Sequence, residues 1–198
     1  MKVIILSLRN ASKRREYMTQ ILSEQNIDFE FFDSLSPTDL DKVLFENTPY
    51  HLSKEAVATF ETHKAVLNKI KDDNNFTIIL EDDATPTSKE VIKEIEYLVS
   101  TDLDWDIIFL GWTPKSIIEK KIVNQSFLKI RKFIGMHAYI VNPKSVDKVL
   151  TQLGESNDHI DKRVSVVGQL NKLNTLFSTK KLFIQNTKFV TQIPKKKT

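Results

Sequence analysis

The stretch Phe76-Thr77-Ile78-Ile79-Leu80-Glu81-Asp82-Asp83 decides the fold class and points to the chemistry. Its first five residues are apolar or β-branched, which is typical of a strand buried on both faces. Three adjacent carboxylates follow directly, where they repel one another. A divalent cation would relieve that repulsion, and oxygen ligands suit Mg²⁺ or Mn²⁺, which can bridge carboxylates to a diphosphate. The alternative interpretation is a solvated acidic turn that caps the next helix.

Alternation along an extended chain assigns different directions to the three carboxylates. Glu81 and Asp83 would point one way and Asp82 the other. We therefore expect Glu81 and Asp83 to serve a metal, while Asp82 meets something else.

Further apolar strands are predicted on either side of this stretch, at residues 3–8, 106–111 and 137–141, and they alternate with helices. The clearest helix runs over 52–70, where apolar residues recur at steps of four and three. Other helices are predicted over 12–22, 86–100 and 163–177. This alternation predicts an α/β domain with a mostly parallel central sheet and helices on both faces. Ligands in such sheets bind beyond the carboxyl ends of the strands.

Composition excludes several classes of site. The chain has 198 residues, enough for one domain, and it has no cysteine. A disulfide scaffold, a thiolate zinc site and a cysteine nucleophile are therefore excluded. The 4 glycines form no phosphate-cradling cluster, which excludes the P-loop and the GxGxxG fingerprint.

The charge of the chain is concentrated at one end. The net charge of +3 equals the three terminal lysines Lys195, Lys196 and Lys197, so the rest of the chain sums to zero. A nucleic-acid binder needs a basic face on the folded body, and none is indicated. We expect one domain over 1–194 and a basic tail over 195–198 that touches anionic lipid weakly at most.

We find no targeting segment and no run of the roughly 20 apolar residues that a membrane span requires. The expected location is cytoplasmic, with peripheral contact at the inner face of a membrane as the most that the tail would allow.

A second candidate site follows the first predicted strand, where Ser7, Leu8 and Arg9 precede a predicted helix that carries Arg14. Free backbone N–H groups at a helix N-terminus favour an anion or a nucleotide. Arginines add bidentate contacts to phosphate. A plain capped helix with basic surface residues is the alternative.

Four further polar residues are candidates with an equally simple structural explanation. His63 lies on the apolar stripe of the 52–70 helix, where a core histidine is the alternative. His137 follows Gly135 at the start of a predicted strand and could reach a site. Asp158 and Asp161 form a polar cluster between two helices, although a helix N-cap explains Asp161 equally well.

Taken in order, these segments resemble glycosyltransferase family 25, the lipooligosaccharide and collagen galactosyltransferase type. The segment ILEDD matches the family's LEDD, and GMHAYIVNP resembles its GTHAYLISP block. The resemblance spans nearly the whole chain and rests on seven segments: Leu8 with Arg14 and Arg15, then 29–33, 52–63, 79–83, 105–108, 135–143 and 190–192.

The chain also departs from the family's pattern. Ser7 and Arg9 stand where the family usually has asparagine and aspartate, and 55–58 replaces a GEIG segment, losing its glutamate and both glycines. These changes leave an alternative open, a degenerate member that binds nucleotide or glycan without transfer. A different metal-dependent phosphoryl or nucleotidyl transferase is a third interpretation.

The resemblance implies a GT-A-like, inverting enzyme that uses Mn²⁺ (or Mg²⁺) and a UDP-sugar, with galactose or a similar hexose as the transferred sugar. The acceptor would be a glycan, a glycolipid or a protein. It implies that Asp83 and Glu81 hold the metal and that Asp82 contacts the donor sugar. The expected contacts to the nucleotide or its phosphates are Ser7, Leu8, Arg9 and Arg14. His63, Glu81 and His137 complete the expected donor-binding residues, and Glu81 would serve the metal or the ribose. A carboxylate base must activate the acceptor, with Asp158 and Asp161 as its candidates.

Overall fold

The computed structural model describes residues 1–40, 49, 52–114 and 120–189. The strands in this part of the chain are β1 Lys2–Ser7, β2 Glu30–Asp33, β3 Thr77–Glu81, β4 Ala84–Pro86, β5 Ile107–Pro114, β6 Lys120–Ile122, β7 Phe127–Ile130, β8 Phe133–Val141, β9 Thr175–Ser178 and β10 Phe183–Gln185. The helices are α1 Ser12–Ser23, α2 Lys54–Ile70, α3 Val91–Val99, α4 Val146–Leu153 and α5 Ile160–Gln169, with short 3₁₀ helices at Pro37–Asp39 and Pro143–Ser145.

Eight strands form the central sheet, in the order β2-β1-β3-β8-β5-β9-β7-β6. β1, β2 and β3 pair in parallel, as do β5 and β9, and β8 lies antiparallel between β3 and β5. β7 is antiparallel to β9, and β6 reverses direction again. Six of the eight strands of this sheet, counted over the described residues, thus run the same way, which confirms the mostly parallel sheet.

Helices cover both faces of this sheet, as predicted. The buried side chains of α2, α4 and α5 pack with alternate strand residues such as Ile79 on one face. Those of α1 and α3 pack with the intervening residues, such as Leu80, on the other. Because side chains alternate across a strand, a run of consecutive apolar residues supplies both cores at once.

α2 follows its sequence pattern closely. Ser53 caps it, since its Oγ accepts a hydrogen bond from Ala56 N at 3.2 Å. The buried stripe contains Phe60, His63 and Leu67, and it packs the helix onto the sheet. The first turn of α2 lies at the carboxyl edge of β1 and β3.

Two predicted helices are shorter than expected because long-range strand pairing takes part of each. The 86–100 helix begins only at Val91, since β4 pairs with β10 and Thr87 N donates to Leu182 O at 2.9 Å. The 163–177 helix ends at Gln169, and its last residues form β9 beside β5. Local periodicity cannot reveal either pairing.

The two remaining features are the hairpin at one edge of the sheet and the end of the chain. The β6–β7 hairpin occupies 120–130. The matched segment 190–192 and the basic tail over 195–198 lie outside the described residues.

Within the described residues, every helix is too short or too polar to cross a lipid bilayer.

Candidate active site

A cavity of about 520 Å³ opens at the carboxyl edge of β1, β2 and β3, where the sequence predicts ligand binding. The first two turns of α2 and the segment after β10 complete its wall. The lining residues are Leu6, Leu8, Arg14, Ser34, Leu35, Pro37, Glu55, Ala58, Thr59, Thr62, His63, Glu81, Asp82, Asp83, Gln185, Asn186, Thr187 and Phe189.

Arg14 and two of the three carboxylates form a buried ionic cluster. Arg14 Nη1 donates to Asp82 Oδ1 at 2.6 Å and to Asp83 Oδ2 at 3.2 Å. Ser7 Oγ donates to the other oxygen of Asp82 at 2.7 Å. Asp82 is therefore fixed through both oxygens, and α1 is tied to the end of β3.

The predicted alternation of the carboxylates is wrong for Asp82 and Asp83. β3 ends at Glu81, and the chain turns over the next two residues before β4 begins. This turn brings both aspartates onto Arg14, while Glu81 faces α2. A strict period of two holds only as long as the backbone stays extended.

A buried chain of polar groups supports Glu81. Tyr139 OH and His63 Nδ1 are 2.9 Å apart, and His63 Nε2 lies 3.7 Å from Glu81 Oε1. Burial raises the pKa of Tyr139 well above its usual value, so the phenol keeps its proton and can donate to Nδ1. The Nε2 proton of His63 then points towards Glu81. His63 is thus both a core residue and a neighbour of the site.

Glu81 and Asp83 respond to burial in opposite ways. Burial opposes ionisation of Glu81, but His63, together with His137 and Arg14, outweighs burial and lowers its pKa. Burial, reinforced by the nearby charge of Glu81, raises the pKa of Asp83 to about 7. Asp83 Oδ1 is buried and has no hydrogen-bond partner in the described chain. The site therefore concentrates more negative charge than Arg14 neutralises.

These groups fit a divalent cation. No cluster of three or more histidine, cysteine, aspartate or glutamate side chains capable of holding a metal occurs in the described residues. Mg²⁺ in phosphate-transferring sites is usually held by only one or two carboxylates, with substrate phosphates and water as its other ligands. The unpartnered oxygen of Asp83 and the neighbouring Glu81 meet that requirement.

His137 does not line the cavity. It is 2% exposed, its Nε2 lies 3.4 Å from Phe183 O, and burial lowers its pKa. A Cβ on Gly111 would overlap the His137 ring and lie 2.8 Å from Phe183 O. Because Gly111 has no side chain, the His137 imidazole fits beside Phe183 of β10.

The segment after β10 closes over the ionic cluster. Asn186 N donates to Asp83 O at 2.8 Å, and Arg14 lies over the Phe189 ring at 5.1 Å from its centre. Phe189 also packs edge-on against Tyr17. Residues far along the chain therefore cover the acidic turn, and no local signal in the sequence indicates this.

The structure separates the predicted N-terminal residues from one another. Leu8 and Arg14 line the cavity, and Ser7 reaches it only through Asp82. The Arg9 side chain is 85% exposed and pairs with Asp33 at 2.7 Å. Arg9 therefore does not line the cavity.

Neither predicted candidate for a base lines the cavity. Asp161 Oδ2 accepts from Gly135 N at 2.8 Å, which fastens α5 to the start of β8. Asp158 pairs with Lys162 at 2.7 Å along the helix. Both carboxylates have structural partners at the amino-terminal end of α5.

The sequence interpretation did not identify the α2 wall of the cavity. Glu55, Thr59 and Thr62 share one face of the helix, since they are spaced four and three residues apart. The spacing was visible in the sequence, but nothing local tells which polar face of a helix borders a cavity.

A second cavity, of about 560 Å³, lies at the opposite edge of the sheet, near the start of β9. Lys121, Lys129, Arg131 and Lys148 border it, and Lys148 pairs with Asp106 at 2.6 Å. It adjoins the carboxyl end of α5, where basic side chains complement the helix dipole. We therefore place the candidate active site at the acidic cavity.

Comparisons with known proteins bear on the family and the fold of the chain. The profile of glycosyltransferase family 25 (LPS biosynthesis protein) matches residues 1–164. The lipooligosaccharide biosynthesis protein lic2B of Haemophilus influenzae is 27% identical over 161 residues, which cover 73% of this chain. The chain spans 60% of the length of that relative.

Two solved glycosyltransferases share the fold. One is involved in the glycosylation of the major capsid of PBCV-1; its TM-score is 0.56 at 9% identity, with 96% of this chain and 95% of that chain covered. The other is the catalytic domain of Drosophila β1,4-galactosyltransferase 7 in complex with xylobiose; its TM-score is 0.52 at 10% identity, with 100% and 75% covered. These likenesses confirm the expected GT-A-like fold.

Proposed function

The chain belongs to glycosyltransferase family 25, and from that premise we propose that it transfers a hexose from a UDP-sugar to a glycan, glycolipid or protein acceptor. The transfer is metal-dependent and inverts the configuration at the sugar carbon. Galactose or a similar hexose is the transferred sugar.

One observation carries this proposal. Asp83 presents a buried oxygen without a partner, next to Glu81, in a cavity at the carboxyl edge of the sheet. Burial and the charge of Glu81 raise the pKa of Asp83, so the site favours a positive charge beside that oxygen. A divalent cation supplies that charge, and the nucleoside diphosphate that it binds fills the cavity.

Asp83 and Glu81 are the residues that would hold Mn²⁺ or Mg²⁺. When bound there, the ion would neutralise the charge that develops on the leaving diphosphate. The chain's own contribution is to keep both carboxylates in place: His63, held by Tyr139, lies 3.7 Å from Glu81, and Arg14 holds one oxygen of Asp83.

The remaining groups of the cavity orient the donor. Asp82 is immobilised by Ser7 and Arg14, and each of its oxygens keeps a lone pair that can accept from a sugar hydroxyl. Leu8, Leu35 and Pro37 give the opposite wall an apolar surface against which a nucleobase can pack. A donor bound between these walls presents its sugar to the α2 side.

The proposal is tested with a panel of nucleotide-sugars at saturating Mn²⁺ and after EDTA treatment. We expect a rise in Tm with UDP plus Mn²⁺, because a ligand that binds only the folded state stabilises it by mass action. We also expect slow hydrolysis of one UDP-hexose, with Asp83→Asn losing both effects. Stabilisation by CTP or ATP instead of UDP would contradict the choice of donor.

The same experiment distinguishes transfer from binding alone. A UDP-dependent rise in Tm without hydrolysis of any donor, and without transfer to an extract of glycolipid acceptors, would identify a member of the family that binds but does not transfer. Turnover that survives EDTA would contradict the role of the metal.

A further inference from the structure

We propose that Glu55 is the general base that takes the proton from the acceptor hydroxyl, a role that rests on the function proposed above. The structure places this residue in the first turn of α2, on the wall of the acidic cavity. Neither the sequence motifs nor the family resemblance identifies it.

The α2 wall is shaped to receive an acceptor sugar. Glu55, Ala58, Thr59 and Thr62 all line the cavity, because they lie on one face of the helix. Ala58 is small, so it leaves space next to the carboxylate. This wall faces the volume that the donor sugar reaches from the acidic turn.

The hydroxyl groups on this wall are already used within the protein. Thr59 Oγ1 donates to Glu55 O at 2.9 Å, and Thr62 Oγ1 donates to Ala58 O at 2.8 Å. Thr62 Oγ1 also accepts from Leu35 N at 2.9 Å. Glu55 is therefore the strong proton acceptor that α2 offers to a ligand in the cavity.

The other cavity carboxylates are committed to different partners. Asp82 and Asp83 both accept from Arg14, and Glu81 lies against His63. The Glu55 carboxylate is half-buried and makes no hydrogen bond or ion pair with the described residues. Its position in the first turn also favours a negative charge, since the helix dipole is positive there.

Glu55 replaces Asp158 and Asp161 as the candidate base. Those two lie outside the cavity and are held by Lys162 and by the backbone of Gly135. A base must lie within hydrogen-bond reach of the proton that it abstracts, and Glu55 borders the cavity whereas Asp158 and Asp161 do not.

The step balances as a single displacement. The acceptor oxygen forms a bond to the anomeric carbon of the donor while its proton moves to a Glu55 carboxylate oxygen. The bond between the anomeric carbon and the diphosphate oxygen breaks, and its electron pair leaves with the nucleoside diphosphate. Water can replace the acceptor, which gives slow hydrolysis of the donor by the same route.

The test compares Glu55→Gln with Glu61→Gln in the full chain. Glu61 is on the same helix, pairs with Lys64 at 3.3 Å and does not line the cavity, so it controls for the loss of a charge on α2. The measurements are kcat and KM for hydrolysis of the UDP-hexose that the wild type turns over, and the shift in Tm with UDP plus Mn²⁺.

We expect Glu55→Gln to lower kcat about 100-fold or more with KM and the shift in Tm unchanged, as for the loss of a general base. Glu61→Gln should behave as the wild type. A Glu55→Gln enzyme within about threefold of the wild-type kcat would overturn the role of Glu55 and leave the proposed function intact. A variant that loses the UDP-dependent shift would also overturn it, in favour of a role in donor binding. Absence of donor hydrolysis by the wild type, together with absence of transfer to the extract of glycolipid acceptors, would overturn the transfer function and, with it, this role.

Discussion

The Arg14 guanidinium lies 2.6 Å from Asp82, which follows it by 68 residues in the chain. The two side chains are buried together at the end of β3. The Arg14 side chain is 10% exposed and that of Asp82 is 6% exposed. Two charges removed from water to this extent stabilise each other, because water solvates neither of them well. The first helix and the acidic turn are thus joined through charge as well as packing.

Removing the guanidinium should therefore destabilise the whole domain. We expect Arg14→Met to lower the free energy of unfolding by about 3–5 kcal/mol near neutral pH, because it leaves Asp82 and Asp83 without compensation. Urea denaturation monitored by circular dichroism measures the change. Arg9→Met is the control, because its pair with Asp33 is exposed and pairs of that kind contribute little. An Arg14→Met protein as stable as the Arg9→Met protein would show that the cluster does not support the fold.

The raised pKa of Asp83 predicts how pH acts on the metal-free protein. The folded-state pKa of about 7 exceeds the ordinary value of 3.8, so between these limits the folded protein keeps a proton that the unfolded chain has lost. The contribution of Asp83 to stability is therefore fully present below that window and declines as pH rises through about 7. We expect Asp83→Asn to gain stability relative to the wild type on going from about pH 5 to pH 8. Denaturation curves of both proteins in EDTA measure this difference, and an unchanged difference across the range would contradict the shift.

The same carboxylate should make metal binding depend on pH. A cation competes with the proton on Asp83, so the affinity for Mn²⁺ should rise by up to about tenfold per pH unit below pH 7 and level off above it. Titration calorimetry with Mn²⁺ and UDP at several pH values is the measurement. Flat affinity from about pH 5 to pH 8 would mean that Asp83 is not a ligand.

The contact between Tyr139 and His63 predicts a loss of metal affinity at a distance from the metal. Tyr139→Phe removes the group that sets the His63 tautomer, so Glu81 loses its support and Mn²⁺ affinity in the presence of UDP should fall about 10- to 100-fold. Tyr97→Phe is the matched control, because Tyr97 is 69% exposed. Equal Mn²⁺ affinity in the two variants would count against a positioning role for His63.

Gly111 predicts a coupling that a double-mutant cycle can measure. Gly111→Ala should destabilise the protein by about 1–3 kcal/mol, since its Cβ would overlap the His137 ring. His137→Ala removes the ring, so adding Gly111→Ala to that variant should cost clearly less than it costs in the wild type. Additive effects of the two substitutions would show that another contact, such as that with Phe183 O, limits the space.

Several features of the site followed from short stretches of sequence. The apolar run of β3 and the three carboxylates after it predicted both a central strand and the acidic edge, and Ser53 with the periodic stripe of α2 predicted that helix. Such features depend on neighbours within one or two turns, which a sequence displays directly.

Other features required the tertiary structure. The turn after Glu81 directs Asp82 and Asp83 to the same arginine, contrary to simple alternation. The strand pairing of β4 with β10 shortens a predicted helix and brings Asn186 and Phe189 over the acidic turn.

The sequence by itself determined the α/β class, the two buried faces of the sheet and the acidic edge, because hydrophobic periodicity and capping act over a few residues. Only the tertiary structure decided that Arg14 pairs with both aspartates, that His63 lies against Glu81 and that Glu55 borders the cavity. Charges find their partners across the sheet and between chain segments tens of residues apart, and the path of the backbone sets those distances.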